Sequence, residues 1–225
     1  MNQYILFVLA CLVAIFEWIA IFKGWRKLEY FFKPGVVALL LGWLVLQGGP
    51  TGALLWFEFG LLFSLAGDLV LMFSNEKRWF VFGLGAFLLT HIAYLIGINT
   101  PPPSFGALTF GVALMIIMSV LPFIRRILLG LRQKGLRRLD LPVRIYATVI
   151  ALMLFSAMMT LFRTDWYSTP AYLVSAGAVL FVASDMLLAW NKFVKPVHRG
   201  RLLLMISYHL GQILLVVGAF GQFGR

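Results

Sequence analysis

Long apolar segments, separated by short polar ones, repeat along the whole chain. An α-helix rises about 1.5 Å per residue, so about 20 apolar residues in succession cross the hydrocarbon core of a bilayer. Eight segments of roughly this length can be marked off, most of them bounded by glycine, proline or asparagine. The predicted spans are residues 4–22, 31–46, 53–73, 79–98, 105–124, 142–162, 171–190 and 202–221.

The basic residues are divided unevenly between alternate loops. If the N-terminus lies outside, 17 of the 19 Lys and Arg residues fall on the inside, and only Arg163 and Arg225 fall outside. This asymmetry is what the positive-inside rule requires of a polytopic membrane protein. The sequence therefore predicts an all-α fold with eight transmembrane helices, which form a single domain over residues 1–225. Both termini are predicted to lie outside, on the periplasmic side.

The composition agrees with this class of protein. Hydrophobic residues make up 62% of the chain and charged residues 12%, roughly half the charged fraction of a soluble domain. The net charge of +11 is confined to loops, so topology or anionic lipid headgroups explain it better than nucleic acid does. The N-terminal segment lacks the basic region and cleavage site of a signal peptide and is expected to be a retained helix. The compact loops predict a bacterial inner membrane protein.

Two aspartates lie inside the apolar spans, Asp68 after Ala66-Gly67 and Asp185 after Ala183-Ser184. An ionised carboxylate in hydrocarbon costs several kcal/mol, so such residues usually face a polar cavity and have a function there. Each precedes the next basic loop by fewer than ten residues, which places both about two helical turns from the cytoplasmic surface. A purely structural role, as hydrogen-bond acceptors between helices, stays open.

Other polar residues are predicted at a similar depth, or one helical turn away on the same face. One polar cavity that opens to the cytoplasmic leaflet would accommodate them all. Glu17 has an alternative interpretation as a residue of the membrane interface. The set consists of Glu17, Ser64, Tyr208, His209 and Gln212.

Two further polar residues are harder to assign. Glu58 lies about 15 Å along the helix axis from Asp68, too far for the same chemical step. His91 lies deeper than the aspartates, and helix packing and catalysis are both open for it. His91 follows Asp68 by 23 residues and His209 follows Asp185 by 24, which leaves open an internal repeat of aspartate and histidine helices.

The sequence contains few motifs of other chemistries. It has no HExxH or HxxxH spacing for a metal, no GxSxG, no glycine-rich phosphate loop and no CxxC. We therefore predict neither a metal site nor an organic cofactor. The chemistry that remains is that of two carboxylates, which can divide into an acid and a base.

The segments around these residues resemble the YhhN family of membrane proteins. The matching segments are Gly67-Asp68-Leu69-Val70-Leu71, Thr90-His91 with Tyr94, Ser184-Asp185-Met186-Leu187-Leu188-Ala189 with Phe193 beyond, and Tyr208 with Gln212. The similarity spans roughly residues 55–220, and the predicted number of helices agrees with the family.

The resemblance implies a lysoplasmalogenase, which hydrolyses the vinyl ether bond of a lysophospholipid to a fatty aldehyde and a glycerophosphoethanolamine or glycerophosphocholine. It implies Asp68 and Asp185 as the catalytic pair, without saying which is the acid, and it needs no cofactor. The residues expected to orient water or substrate are Ser64, Tyr208, Gln212, His209 and Glu17. The cations expected to meet the phosphate are Lys77, Arg78, Lys192 and Arg199.

Two other classes of function remain open. A proton-coupled transporter would also need intramembrane aspartates, but it requires a polar path across the membrane, and the outer halves of these helices are mostly apolar. A non-catalytic lipid-binding protein would use the aspartates to hold helices together. The sequence indicates neither the headgroup preference nor the oligomeric state.

Overall fold

A computed structural model describes residues 4–48, 52–72, 77–103 and 106–224 of the chain. These ranges contain eight helices that are long and apolar enough to cross a membrane, which confirms the predicted fold class. The helices are α1 (Ile5–Lys23), α2 (Arg26–Gly48), α3 (Gly52–Met72), α4 (Lys77–Ile98), α5 (Ala107–Gln133), α6 (Asp140–Met159), α7 (Ser168–Phe193) and α8 (Gly200–Phe223).

Two helices are longer than the apolar runs that predicted them. Helix α2 begins at Arg26 instead of residue 31, and α5 continues to Gln133 instead of ending at residue 124. Backbone hydrogen bonding does not stop where the apolar run stops, so basic turns extend both helices beyond the hydrocarbon layer. A short 3₁₀ turn, Arg137–Leu139, then leads from α5 into α6.

The helices pack chiefly in sequential pairs. Helix α7 packs along α8, α3 along α4 and α1 along α2, while α4 and α5 both pack on α6. Helix α5 lies at the edge of the bundle and contacts α6 and α7. The large apolar side chains that remain exposed on α5, such as Phe110, Leu114 and Met118, are suited to face lipid.

Glycine allows a close contact between the backbones of α7 and α8. A Cβ atom placed on Gly177 would lie 2.9 Å from the carbonyl oxygen of Gly211, and one on Gly211 would lie 2.8 Å from the backbone nitrogen of Phe181. Small residues at such crossings let two backbones approach in a membrane, where dispersion contacts replace the hydrophobic effect as the driving force. This contact fixes the position of the α7 segment that leads to Asp185.

Arg163 joins two connections at the end of the bundle away from the basic loops. Its guanidinium donates to the carbonyl oxygens of Ile98, at 3.2 Å, and Pro101, at 2.8 Å. It also donates to both carboxylate oxygens of Asp165, at 3.0 and 2.6 Å. These hydrogen bonds lower the pKa of Asp165, because they stabilise its charged form. The α4–α5 and α6–α7 connections are thereby held together.

We expect Gly211→Val to destabilise the fold by about 1–3 kcal/mol, because the added side chain would force α7 and α8 apart. The matched control is Gly111→Ala on α5, where an added Cβ meets nothing within 4 Å. That change should be neutral or stabilise the protein by up to about 1 kcal/mol through helix propensity. Thermal unfolding in detergent measures both; equal effects would contradict the close α7–α8 contact.

Candidate active site

Asp68 is fully buried on α3 and bound from two other helices. Its Oδ1 lies 2.9 Å from the Lys33 ammonium of α2, and its Oδ2 accepts a hydrogen bond of 2.8 Å from the Tyr208 hydroxyl of α8. The preceding Gly67 leaves room for α4, since a Cβ there would lie 2.8 Å from the Phe87 ring. A buried carboxylate is tolerable only with such partners. Asp68 is therefore the point where α2, α3 and α8 meet.

Asp185 on α7 has a different set of partners. Its Oδ2 accepts a hydrogen bond of 2.7 Å from the Tyr146 hydroxyl of α6 and lies 2.7 Å from Nε2 of His91 on α4. His91 is fully buried, and its Nδ1 has no hydrogen-bond partner among the described residues. His91, whose role the sequence left open, is thus a partner of Asp185.

The structure does not gather the predicted residues around one polar cavity, so that expectation was wrong. No hydrogen bond joins the two carboxylates in the part of the chain that the structure describes. The Phe181 ring lies between their partners, 4.5 Å from the His91 ring and 5.5 Å from the Tyr208 ring, measured between centroids. Position along a sequence gives the depth of a residue, but not the direction in which it points around the helix axis.

A charged vestibule opens above Asp68. It encloses about 1180 Å³, including its open mouth, and is lined by Lys33, Glu17, Glu29 and Arg201, among other residues. Glu29 and Arg201 form an ion pair across it. Lys33 is 17% exposed and lines this space while its ammonium contacts Asp68. The vestibule therefore extends to the Lys33 side chain, and Asp68 is buried behind it.

A narrow apolar cavity, which encloses about 600 Å³ including its open mouth, lies beside Asp185 between α4, α5, α6 and α7. Asp185 and Tyr146 supply its polar groups, and the remaining wall is aliphatic or aromatic. Leu188, one turn after Asp185, lines both this cavity and the charged vestibule. The two spaces are therefore neighbours, one polar and one apolar, on either side of α7.

Glu17 and His209 form a pair at the vestibule. The Trp18 indole can only donate, and it lies 3.2 Å from Nδ1 of His209, so this nitrogen accepts. In the neutral ring the proton is then on Nε2, which lies 3.2 Å from Glu17. Both residues are buried. His209 lies beside Glu17, and none of its hydrogen bonds or ion pairs among the described residues is with an aspartate. The internal repeat that the sequence left open therefore does not extend to the partners of the two histidines.

Ser64 and Gln212 belong to a chain of hydrogen bonds that links α3, α4 and α8. The Gln212 amide donates to Ser64 at 2.7 Å, the Tyr94 hydroxyl donates to Gln212 at 2.5 Å, and Ser64 lies 3.1 Å from the Thr90 hydroxyl. Neither Ser64 nor Gln212 contacts a catalytic candidate directly. Gln212 lies one turn from Tyr208 on α8, so the chain fixes the helices that carry Asp68 and its partner.

Two of the four cations expected to hold a phosphate, Lys192 and Arg199, lie apart. The Lys192 ammonium lies 3.8 Å from the centre of the Phe80 ring, whereas the Arg199 guanidinium lies over Phe22 of α1. The side chains of Lys77 and Arg78 lie outside the described residues. Arg199 is thus placed on the α1 side, away from the cavity of Lys192.

Sequence reasoning missed Lys33 and Tyr146. Lys33 was counted as a loop charge although it falls inside the predicted second span, and a lysine within a span is itself a signal of a buried partner. Tyr146 lies near a membrane boundary, where tyrosine is common without any special role. Glu58 is buried on α3 and contributes to neither group.

Taken together, these elements define a polytopic α-helical membrane protein with buried carboxylates between a polar and an apolar cavity. The family model named YhhN matches residues 28–219, and the chain belongs to the YhhN family. The match includes both aspartates and every direct partner described for them.

Several named proteins are similar to this chain. Lysoplasmalogenase TMEM86B of Mus musculus is 29% identical over 214 residues, which cover 95% of this chain and 84% of that protein. A lysoplasmalogenase of Mycobacterium tuberculosis is 30% identical over 208 residues, covering 90% and 73%. Lysoplasmalogenase TMEM86A of Homo sapiens is 31% identical over 162 residues, covering 71% and 63%. No solved structure matches this chain.

We expect Lys33→Met to destabilise the protein by about 2–4 kcal/mol, because it leaves Asp68 buried without a cation. The vestibule admits some water to this position, which keeps the cost below that of a fully enclosed pair. Adding Asp68→Asn should recover part of the loss, since it removes the uncompensated charge. Thermal unfolding of both single variants and the double variant measures the coupling; strictly additive effects would contradict the ion pair.

Proposed function

We propose that this protein is an enzyme that hydrolyses the vinyl ether bond of lysoplasmalogens within the membrane. The observation that carries the proposal is the pair of buried aspartates, each bound by hydrogen-bond donors, in a family whose similar members are named lysoplasmalogenase. The position of these groups between a water-accessible vestibule and an apolar cavity supports it.

The reaction requires an acid, an anion and one water molecule. A proton adds to the alkene carbon that is not bonded to oxygen. The positive charge then develops on the other alkene carbon, the ether carbon, and on the ether oxygen. Water then adds to the ether carbon and loses a proton. The resulting hemiacetal breaks its bond to the glycerol oxygen, giving a fatty aldehyde and the glycerol hydroxyl. General acid and base groups supply these steps without a metal or an organic cofactor.

We assign the proton donor to Asp185. This residue lines the apolar cavity, where the alkenyl chain can lie, and among the described residues it has no lysine or arginine partner. Tyr146 and His91 fix the orientation of its carboxyl group through Oδ2. Once the proton has left, the Asp185 carboxylate stabilises the adjacent positive charge.

We assign the activation of water to Asp68. The Lys33 ammonium lies 2.9 Å from this carboxylate and compensates its negative charge. Water reaches Lys33 from the vestibule, while the substrate chain approaches from the apolar cavity on the other side of Leu188. Tyr208 orients Asp68 through its hydroxyl. The separate partners of the two aspartates account for a fixed division of roles.

Asp68→Asn and Asp185→Asn should each lower aldehyde release from lysoplasmalogen about 100-fold or more, because each removes one acid–base group. Phe59→Leu, on the exposed face of α3, serves as the matched control and should retain activity. Reaction in heavy water should place one deuterium on the carbon next to the aldehyde, since that carbon receives the proton. Folded protein that releases no aldehyde from ethanolamine or choline substrates would contradict the proposal and favour transport.

We further propose that the vestibule faces the cytoplasm of a bacterial inner membrane, as the basic loops require. In a Cys11→Ser background, Thr164→Cys in the α6–α7 connection should react with an impermeant maleimide on intact spheroplasts. Gln133→Cys at the end of α5 should react only after permeabilisation. Both positions are exposed in the structure. The reverse pattern of labelling would overturn the orientation.

A further inference from the structure

The apolar cavity beside Asp185 has a neighbouring space on each of two sides. Toward the basic loops it shares Phe80 and Phe193 with a second cavity, which encloses about 1540 Å³ including its open mouth. Toward the middle of the membrane it shares Val120, Ile124 and Ala147 with a groove between α5 and α6. Three spaces thus lie next to one another along α5 and α6, and Asp185 lines the central one.

The described charged residues that line the cavity near the basic loops are all cationic. They are Arg137 and Arg138 of the 3₁₀ turn, together with Lys192 of α7. The Phe80 and Phe193 rings, with centroids 5.8 Å apart, separate it from the apolar cavity, and the Lys192 ammonium lies over Phe80. Three cations that have no acidic partner among the described residues are suited to a phosphate group.

The spacing between this basic cavity and Asp185 matches a lysophospholipid. Lys192 follows Asp185 by seven residues on α7, which is about 10 Å along the helix axis. In a lysoplasmalogen the glycerol links the phosphate to the vinyl ether, and its extended length is comparable. A phosphate at the basic cavity therefore places the vinyl ether beside Asp185 and Tyr146.

The groove between α5 and α6 can hold the alkenyl chain of the lipid beyond its vinyl ether. Apart from Thr148, its lining is apolar, and it reaches Ala113 on α5 and Phe155 on α6. From Ile127 in the central cavity to Ala113, α5 rises about 21 Å, which is the scale of a single extended lipid chain. Ile117 and Leu152 line this groove and are exposed, so it opens sideways to lipid.

We propose that these three adjacent spaces together form the binding site for a single-chain phospholipid. Its phosphate lies between Arg137, Arg138 and Lys192, its vinyl ether lies at Asp185 and Tyr146, and its chain lies in the α5–α6 groove. This inference rests on the proposed function and deepens it by assigning both ends of the substrate. Four helices enclose the central cavity, which explains a preference for lipids with one chain.

The phosphate site is tested with two substrates that carry the same alkenyl chain, a lysoplasmalogen and the corresponding 1-alkenylglycerol. The double variant Arg137→Gln with Arg138→Gln should raise KM for the lysoplasmalogen about tenfold or more, with kcat retained, because charge-assisted hydrogen bonds are lost. It should leave the substrate without phosphate unchanged. Both arginines are exposed, so the fold tolerates the change.

The matched control is Arg125→Gln with Arg126→Gln, two exposed arginines on α5 that line none of these spaces. This control removes the same charge from the same end of the protein. If both double variants raise KM equally, or if the Arg137 and Arg138 variant affects both substrates equally, general attraction to the membrane explains the effect and the site is overturned.

The chain groove is tested by substrate length. Ala151→Trp fills the groove beyond the central cavity and should lower kcat/KM for a long-chain lysoplasmalogen about tenfold relative to one of half that length. Ala176→Trp, at an exposed position on α7, is the control and should leave this ratio unchanged. Loss of activity that is independent of chain length would contradict the groove.

Binding separates a failure of this inference from a failure of the proposed function. A saturated 1-alkyl lysophospholipid has no vinyl ether and cannot be hydrolysed by this route. The wild-type protein should bind it, and the Arg137 and Arg138 variant should bind it about tenfold more weakly. If this binding difference is found but no substrate releases aldehyde, the lipid site is retained and the proposed enzymatic function is overturned. Equal binding by both proteins would overturn the lipid site.

Discussion

The ion pair between Lys33 and Asp68 is the interaction on which the charged half of the molecule depends. A carboxylate inside a membrane protein is costly unless a cation and further hydrogen bonds accompany it. Lys33 provides the cation from α2, and Tyr208 provides the hydrogen bond from α8. The same lysine lines the vestibule, where Glu29 and Arg201 also pair. Three helices are thus joined where water enters the fold.

The second aspartate is held without a lysine or arginine among the described residues. Tyr146 and His91 both approach one of its oxygens, and the cavity beside it is apolar. Two carboxylates at similar depths therefore have different surroundings, one with a cation and water and one with aromatic and aliphatic walls.

Sequence patterns predicted those features of the fold that depend only on position along the chain. Hydropathy predicted the eight spans found among the described residues, and distance from the basic loops predicted a depth for Asp68 and Asp185. The partners depend on direction around each helix, which depth does not specify, and so Lys33 and Tyr146 were missed and His91 stayed undecided. Helix packing decides these contacts, and in α7 and α8 the packing depends on Gly177 and Gly211, which carry no hydropathy signal of their own.

The groove between α5 and α6 opens sideways, with exposed Ile117 and Leu152 along it. A ligand that reaches the protein by this route never passes through bulk water, and its chain leaves one apolar environment for another of equal polarity. The quantity that governs binding is then the mole fraction of the ligand within the leaflet. The volume of the surrounding solution does not affect it. Every other single-chain lipid in that leaflet competes for the same groove, so turnover follows the composition of the membrane itself.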